Sequence, residues 1–191
     1  QKYIQKAANG LDRLSFIIKE LDLITQFETG VTSLDIAQFD LVKLIYEMIE
    51  LLEINAAKKE INLVCNLDID TPIFVEADRE RIIQVLSNLV VNSLKYGVKN
   101  GTTEIEIKDL TNEKVLLRII DNGKGIGEEH LPRLFERFYR VDKTRNRNEG
   151  GSGLGLAIVK HIIEAHNEKI YVESTLNVGS EFSFTLAKAK A

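Results

Sequence analysis

With 191 residues, 44% of them hydrophobic, the chain can bury one substantial core and still carry an appendage. Its formal net charge of −4 argues against a general polyanion binder, so no nucleic-acid partner is expected. No apolar run approaches the roughly 18 to 20 residues of a membrane span, so these residues are not expected to contact a membrane.

The single cysteine, Cys65, sits in the apolar run Ile61-Asn62-Leu63-Val64-Cys65 and reads as a small buried hydrophobe. One cysteine allows no disulfide within the chain, which suits a reducing compartment. The chain opens on Gln1, has Met48 as its only methionine and lacks a signal peptide, so it is expected to be a piece of a longer protein.

Residues 1–29 read as one helix. Ile4, Leu11 and Ile18 recur every seven residues, Ala7, Leu14 and Leu21 fall three positions after each, and Ile17 and Ile24 widen the apolar face. Asp12, Arg13, Lys19 and Glu20 fill the outer positions, and Gly30 is a natural stop. Two readings stand: a helix packed on its own domain, or half of a helical hairpin that dimerises.

A strand is expected over Val31–Ile36, then a helix from Asp40, its N-cap, to Lys59, with Leu44, Ile45, Met48, Ile49 and Leu52 as its buried stripe. Ile61–Asp68 and Ile73–Glu76 alternate like strands around Pro72. Glu80–Tyr96 is a strong helix, and Thr103–Lys108 and Lys114–Ile120 form an antiparallel pair. Residues 121–153 keep no period, and a loop of that length inside a compact domain is usually functional. A helix over Ser152–His166 and strands over Lys169–Ser174 and Glu181–Leu186 complete the pattern. The fold class is α+β: a two-layer α/β sandwich, one helical layer on a mixed, mostly antiparallel sheet, with the long N-terminal helix added.

Four segments carry chemistry. On the Glu80–Tyr96 helix, Ile82, Leu86, Leu89, Val90 and Leu94 form the core stripe, while Gln84, Asn88, Asn92 and Tyr96 line another face. Asparagine competes for backbone hydrogen bonds and is a poor choice inside a helix, so two of them one turn apart suggest a function. A carboxamide oxygen is a hard neutral ligand, and Mg²⁺ on a triphosphate needs only one or two protein oxygens. Asn92 is the candidate ligand, with Asn88 a second or water-mediated contact; Lys95 can reach phosphate and Tyr96 can stack on a purine.

Asp121 ends an apolar strand and precedes Gly123 and Gly125, which allow close backbone approach and positive φ. A carboxylate there can accept from the adenine amino group, a charge-assisted bond contributing roughly 1.5–3 kcal/mol. Phe135 and Phe138 can anchor the loop to the core ahead of a basic stretch, Arg137, Arg140, Lys143, Arg145 and Arg147, that suits a triphosphate tail. Gly151, Gly153 and Gly155 then lead into a helix whose first backbone N–H groups can bind phosphate. G-x-x-x-x-G-K-[ST], His-Arg-Asp and Asp-Phe-Gly are absent, which excludes a P-loop enzyme and an ordinary protein kinase. His130, His161 and His166 lack metal-ligand spacing and suit helix-end or surface roles.

In order and spacing these segments closely resemble the ATP-binding region of bacterial sensor histidine kinases in the GHKL ATPase superfamily. Asn88–Tyr96 resembles the N box, Asp121-Asn122-Gly123-Lys124-Gly125 the G1 box, Phe135–Arg140 the F box and Gly151–Leu156 the G2 box. The resemblance covers residues from about 34 to 187, and residues 1–29 are similar to the second helix of the family's dimerisation hairpin. It implies a division into residues 1–30, part of that hairpin, and residues 31–191, the catalytic ATP-binding domain. It further implies that Asn92 holds Mg²⁺, Asp121 reads adenine, Tyr96 stacks, and Lys95 and Arg140 contact phosphates, with Asn88, Lys95 and Arg140 as the catalytic groups. Gly123, Gly125, Ile126, Phe135, Gly151, Gly153, Leu154, Gly155 and Leu156 complete the implied ATP site.

The same resemblance implies a cytoplasmic domain whose parent protein is anchored in the bacterial inner membrane. It implies homodimerisation through the hairpin and a response-regulator receiver domain as phosphoryl acceptor downstream. Three departures matter. The family's H box, a histidine followed by an acidic residue, is absent from this sequence; Ser93 stands where alanine is usual; and Asn167 replaces the glycine after His166. A non-catalytic nucleotide sensor and a chaperone- or topoisomerase-type ATPase are the rival readings.

Overall fold

The structure, a computed structural model, describes residues 2–30, 33–110, 113–141 and 151–189. Its elements are α1 (Lys2–Glu28), β1 (Ile36–Asp40), α2 (Leu41–Lys59), β2 (Asn62–Cys65), β3 (Phe74–Asp78), α3 (Arg79–Tyr96), β4 (Thr102–Asp109), β5 (Lys114–Asp121), α4 (Gly155–Ala165), β6 (Ile170–Thr175) and β7 (Gly179–Ala187). A 3₁₀ turn, Glu128–Arg133, lies within the long loop after β5.

The main sheet runs β2-β4-β5-β7-β6, with β2 parallel to β4 and every other pair antiparallel. β1 and β3 form a separate antiparallel ribbon, tied to the end of β7 by a bridge between Val75 and Lys188. The expected mixed, mostly antiparallel sheet under one helical layer is therefore found. The first strand is a correction: it is Ile36–Asp40, paired with β3, rather than Val31–Ile36. Propensity marked the β-branched Val31, but the ribbon is set by pairing with β3, and Val31 and Thr32 lie outside the described residues.

Capping chemistry fixes the helices. Asp40 accepts from the Val42 and Lys43 amides to start α2, and Asp78 accepts from the Arg81 amide to start α3. At the other end of the layer His166 closes α4: its Nδ1 donates to the Ile162 carbonyl, while Nε2 accepts from the Asp78 amide at 3.0 Å. One imidazole thus ties the end of α4 to the start of α3. Asn167 follows at φ 59°, the left-handed conformation expected of the residue in glycine's usual place.

The apolar stripe of α3, including Ile82, Leu86, Leu89, Val90 and Leu94, is buried against the sheet with Ala157, Ile158, Ile162 and Ile163 of α4. α1 packs on α4 through its C-terminal half, where Ile24 is fully buried and Ile17, Leu21 and Phe27 are partly buried. Its heptad seam is different: Ile4 is 75% exposed, and Leu11, Leu14 and Ile18 are also exposed. Among the described residues no helix is long and apolar enough to cross a membrane.

Candidate nucleotide-binding site

The inner face of the sheet is apolar rung by rung, as in Ile107–Leu117–Phe184–Ile170 and Ile105–Ile119–Phe182–Val172. The next rung, Thr103–Asp121–Ser180–Ser174, runs across four strands and is polar throughout. It marks where the core stops and the site begins. Thr103 and Ser180 are buried, and Ser93 of α3 shares a 2.5 Å hydroxyl–hydroxyl bond with Thr103. Serine in place of the usual alanine at 93 thus gains a hydrogen-bond partner.

Asp121 ends β5 as expected. Its Oδ1 accepts from the Gly123 amide at 2.9 Å. Burial pushes the carboxyl above the ordinary range, against the opposing pull of the Gly123 and Ser180 amides. Glycine is required around it. At φ +64° Gly125 packs so closely on the Thr175 carbonyl that a Cβ would overlap it, and a Cβ on Gly179 would overlap the Asp121 carbonyl. The Asn177 amide donates to the Lys124 carbonyl and the Ile126 amide to Ser174 Oγ, so the loop after Asp121 is stitched to the β6–β7 turn. Ile126 also packs against the core.

The other side of the candidate site is built from α3 and the start of α4. A Cβ on Gly155 would lie 3.2 Å from Asn88 Oδ1, and one on Gly151 would lie 3.7 Å from Lys95 Nζ. The glycine-rich loop therefore faces the asparagine-bearing side of α3. Asn88 and Asn92 are half-buried, and among the described residues neither carboxamide has a hydrogen-bond partner, nor do Lys95 and Arg140 form an ion pair. Two hard oxygens without a hydrogen-bond partner, beside an ammonium without an ion pair, fit a Mg²⁺-bound triphosphate. No group of three His, Cys, Asp or Glu among the described residues can hold a metal by itself. Lys95 Nζ rests 4.9 Å from the centre of the Tyr96 ring, and Tyr96 is exposed.

Other expected residues divide. Phe135 packs on the core, but Phe138 is 56% exposed at φ +61°, so it does not anchor the loop. Its backbone serves instead: the Phe138 amide donates to the Gly153 carbonyl, and a Cβ on Gly153 would press to 3.0 Å against Phe138. Leu154 is fully buried and Leu156 partly so, both packing in or on the core. Gly150, Lys143, Arg145 and Arg147 lie outside the described residues.

Glu20 is a correction. It is not on the outer face of α1 but 8% exposed, held by the Ser152 hydroxyl, which donates to it at 2.6 Å and accepts from the Leu154 amide. Heptad position made it an outer residue; docking of α1 on α4 turned it inward. Burial pushes its carboxyl up, with the Ser152 bond opposing. Glu28 pairs with Arg137 and lies 3.7 Å from His161.

Thr103, Ser174, Gly179 and Ser180 were not among the expected site residues. The available signal was alternation: Ser180 is the polar member of the inward series Ser180, Phe182, Phe184, Leu186, and a strand begun at Glu181 hides it.

The sequence matches the family described as histidine kinase-, DNA gyrase B- and HSP90-like ATPase over residues 77–190. The chain belongs to that family. Among named relatives, the sensor histidine kinase WalK of Bacillus subtilis (strain 168) is 32% identical over 187 residues, which is 97% of this chain and 30% of the relative. Full-length ShkA in complex with AMPPNP superposes with a TM-score of 0.84 at 25% identity, covering 100% of this chain and 39% of ShkA. ThkA in complex with the response regulator protein TrrA gives 0.73 at 31% identity, over 99% of this chain and 51% of that one. The chain thus spans well under two thirds of these relatives' lengths. The paired asparagines of α3, Asp121 with its glycines and the loop entering α4 all lie within the matched residues.

Proposed function

We propose that this chain is the ATP-binding catalytic part of a sensor histidine kinase. Residues 31–191 act as the catalytic domain and residues 1–30 as one helix of a dimerisation hairpin. The observation that carries the reading is the pairing of two unlike ends of one site: a half-buried carboxylate, Asp121, on one side, and on the other a glycine-rich loop facing Asn88, Asn92 and Lys95, which have no hydrogen-bond or ion-pair partner among the described residues. Asp121 accepts from the adenine amino group, and Tyr96 offers a ring for the purine. Lys95 and Arg140 neutralise phosphate charge, and the loop from Gly151 to Gly155 gives backbone amides to it.

Asn92, with Asn88 beside it, are the residues that would hold Mg²⁺. The ion supplies charge neutralisation on the triphosphate. The chain's part in the transfer is positioning: the terminal phosphoryl group is presented in line to a histidine imidazole that this site does not itself supply. His130 bonds to the Tyr139 hydroxyl, His161 faces Glu28 and His166 staples two helices, so each has a structural engagement. The exposed seam Ile4, Leu11, Leu14 and Ile18 supports a homodimer through α1, and a receiver domain of a response regulator is the expected consumer of the phosphohistidine. We place this part on the cytoplasmic side of a parent anchored in the inner membrane.

Calorimetric titration with ATP, with and without Mg²⁺, tests the site; binding that prefers ATP to GTP and collapses in Asp121→Asn is the expected result. Incubation with a hairpin bearing an acceptor histidine tests the transfer. Labelled phosphate should appear on that hairpin, and binding without labelling would leave a nucleotide-sensing module instead.

A further inference from the structure

The polar rung holds a hydroxyl relay that the ATP reading leaves unused. Ser174 Oγ donates to the Gly179 carbonyl at 2.8 Å, accepts from the Ile126 amide at 2.9 Å, and lies 2.9 Å from Ser180 Oγ. A serine hydroxyl has one proton and two lone pairs. A carbonyl can only accept, so the Ser174 proton is committed to Gly179. The Ile126 amide uses one lone pair. What remains for Ser180 is the second lone pair, so the bond between the two hydroxyls has Ser180 as donor. Its proton thus points along the sheet, away from Asp121, its register partner on β5.

We propose that Ser174 is a positioning residue for nucleobase choice: by taking the Ser180 proton, it holds Ser180 as a hydrogen-bond acceptor beside the Asp121 carboxylate. The proposal rests on the reading of Asp121 as the adenine-binding group. Two acceptors side by side match an exocyclic amino group, which has two protons to give. They oppose a 6-oxo group, which has only lone pairs. Asp121 alone sets part of that preference; a freely rotating Ser180 hydroxyl could turn its proton to a 6-oxo base and erode the rest. Ser180 is 8% exposed and lies directly across from Asp121, where facing side chains stand about 5 Å apart, so both oxygens can meet one base edge. The Gly125 and Gly179 close contacts fix the loop and the turn that the relay spans, which leaves the hydroxyls little freedom to reorganise.

The test compares ADP with inosine diphosphate, which differ at the 6-position, by calorimetry on the full chain and its variants. The wild-type chain should prefer ADP. Ser174→Ala should weaken ADP while leaving inosine diphosphate unchanged or improved, cutting discrimination about tenfold, the size of one hydrogen bond. Ser180→Ala should show a similar loss, and Ser174→Ala added to it should change discrimination no further. Equal weakening of both nucleotides in Ser174→Ala would show a merely structural role and overturn the proposal. If that variant does not melt cooperatively, Ser180→Ala decides: full wild-type discrimination without the Ser180 hydroxyl overturns it equally. Failure of the wild-type chain to bind either nucleotide would instead sink the ATP reading beneath it.

Discussion

The two ends of the proposed site are built by opposite means. At the base end the polar groups of the rung are held by neighbouring strands and loops: Asp121 by the Gly123 amide, Ser174 by three partners, Thr103 by Ser93. At the phosphate end Asn88, Asn92, Lys95 and Arg140 have no hydrogen-bond or ion-pair partner among the described residues. The base end is rigid because neighbouring strands must pair in one register, and a purine is a rigid planar object. The phosphate end gathers uncompensated carboxamides and cations, which a bound polyanion would satisfy. Preorganisation therefore serves selectivity at one end, while at the other the ligand completes the site.

The sharpest way to break the contrast is at the base end. Gly125→Ala forces a Cβ into the Thr175 carbonyl at a φ that L residues disfavour, and should cost about 3 kcal/mol or more of stability. Thermal unfolding would show it as a melting point lower by roughly 10 °C. Gly151→Ala, whose Cβ would meet only the Lys95 ammonium at an ordinary van der Waals distance of 3.7 Å, should leave the melting point within a degree or two. Equal losses at both positions would mean the two ends are equally preformed.

Asp121→Asn separates binding from folding. The amide keeps the shape but turns a charged acceptor into a weaker neutral one, so ADP affinity should fall by roughly 10- to 100-fold. Because burial already disfavours the Asp121 charge, the same change should hold or raise the melting temperature. Loss of both together would make the residue a structural support. Lys95→Ala addresses the other end: ATP should bind about tenfold more weakly, with a shallower salt dependence, while adenosine should bind unchanged. Adenosine weakened as much as ATP would refute the division.

This contrast also explains what the chain discloses when read alone. The parts of the proposed phosphate end stand out in the sequence because they are local: Asn88 and Asn92 break helix preference one turn apart, and the glycines of 151–155 sit beside a helix start. Asp121 was legible as the polar end of an apolar strand. Ser174 and Ser180 were not, since their meaning comes from a register shared by four strands, which no short window contains. For the same reason the first strand was placed too early and Glu20 was put on the wrong face: pairing with β3 and docking on α4 are both non-local. Phe138 was misread because composition suggested an anchor where the backbone needed a left-handed residue against Gly153.

The smallest effect lies where α1 meets the phosphate loop, and it carries the contrast beyond the site. Glu20 is buried against Ser152, and its carboxyl is held above the ordinary carboxylate value of about 4.3 chiefly by that burial. A carboxyl with a raised folded value binds its proton more tightly in the docked state. Its stabilising contribution is therefore full below the ordinary value and is lost as pH rises through the raised one. Glu20→Gln keeps an oxygen for the Ser152 hydroxyl and never ionises. As pH rises above the ordinary carboxylate value the wild-type melting temperature should fall relative to the variant, by a small amount. Asp121 shifts in the same direction, but it is present in both proteins and cancels from the difference. Parallel curves would mean that the Glu20 charge remains solvated at the α1 junction. Diverging curves would make α1 and the glycine-rich loop a coupled pair, so that nucleotide binding at one and docking of the other share a hydroxyl, Ser152.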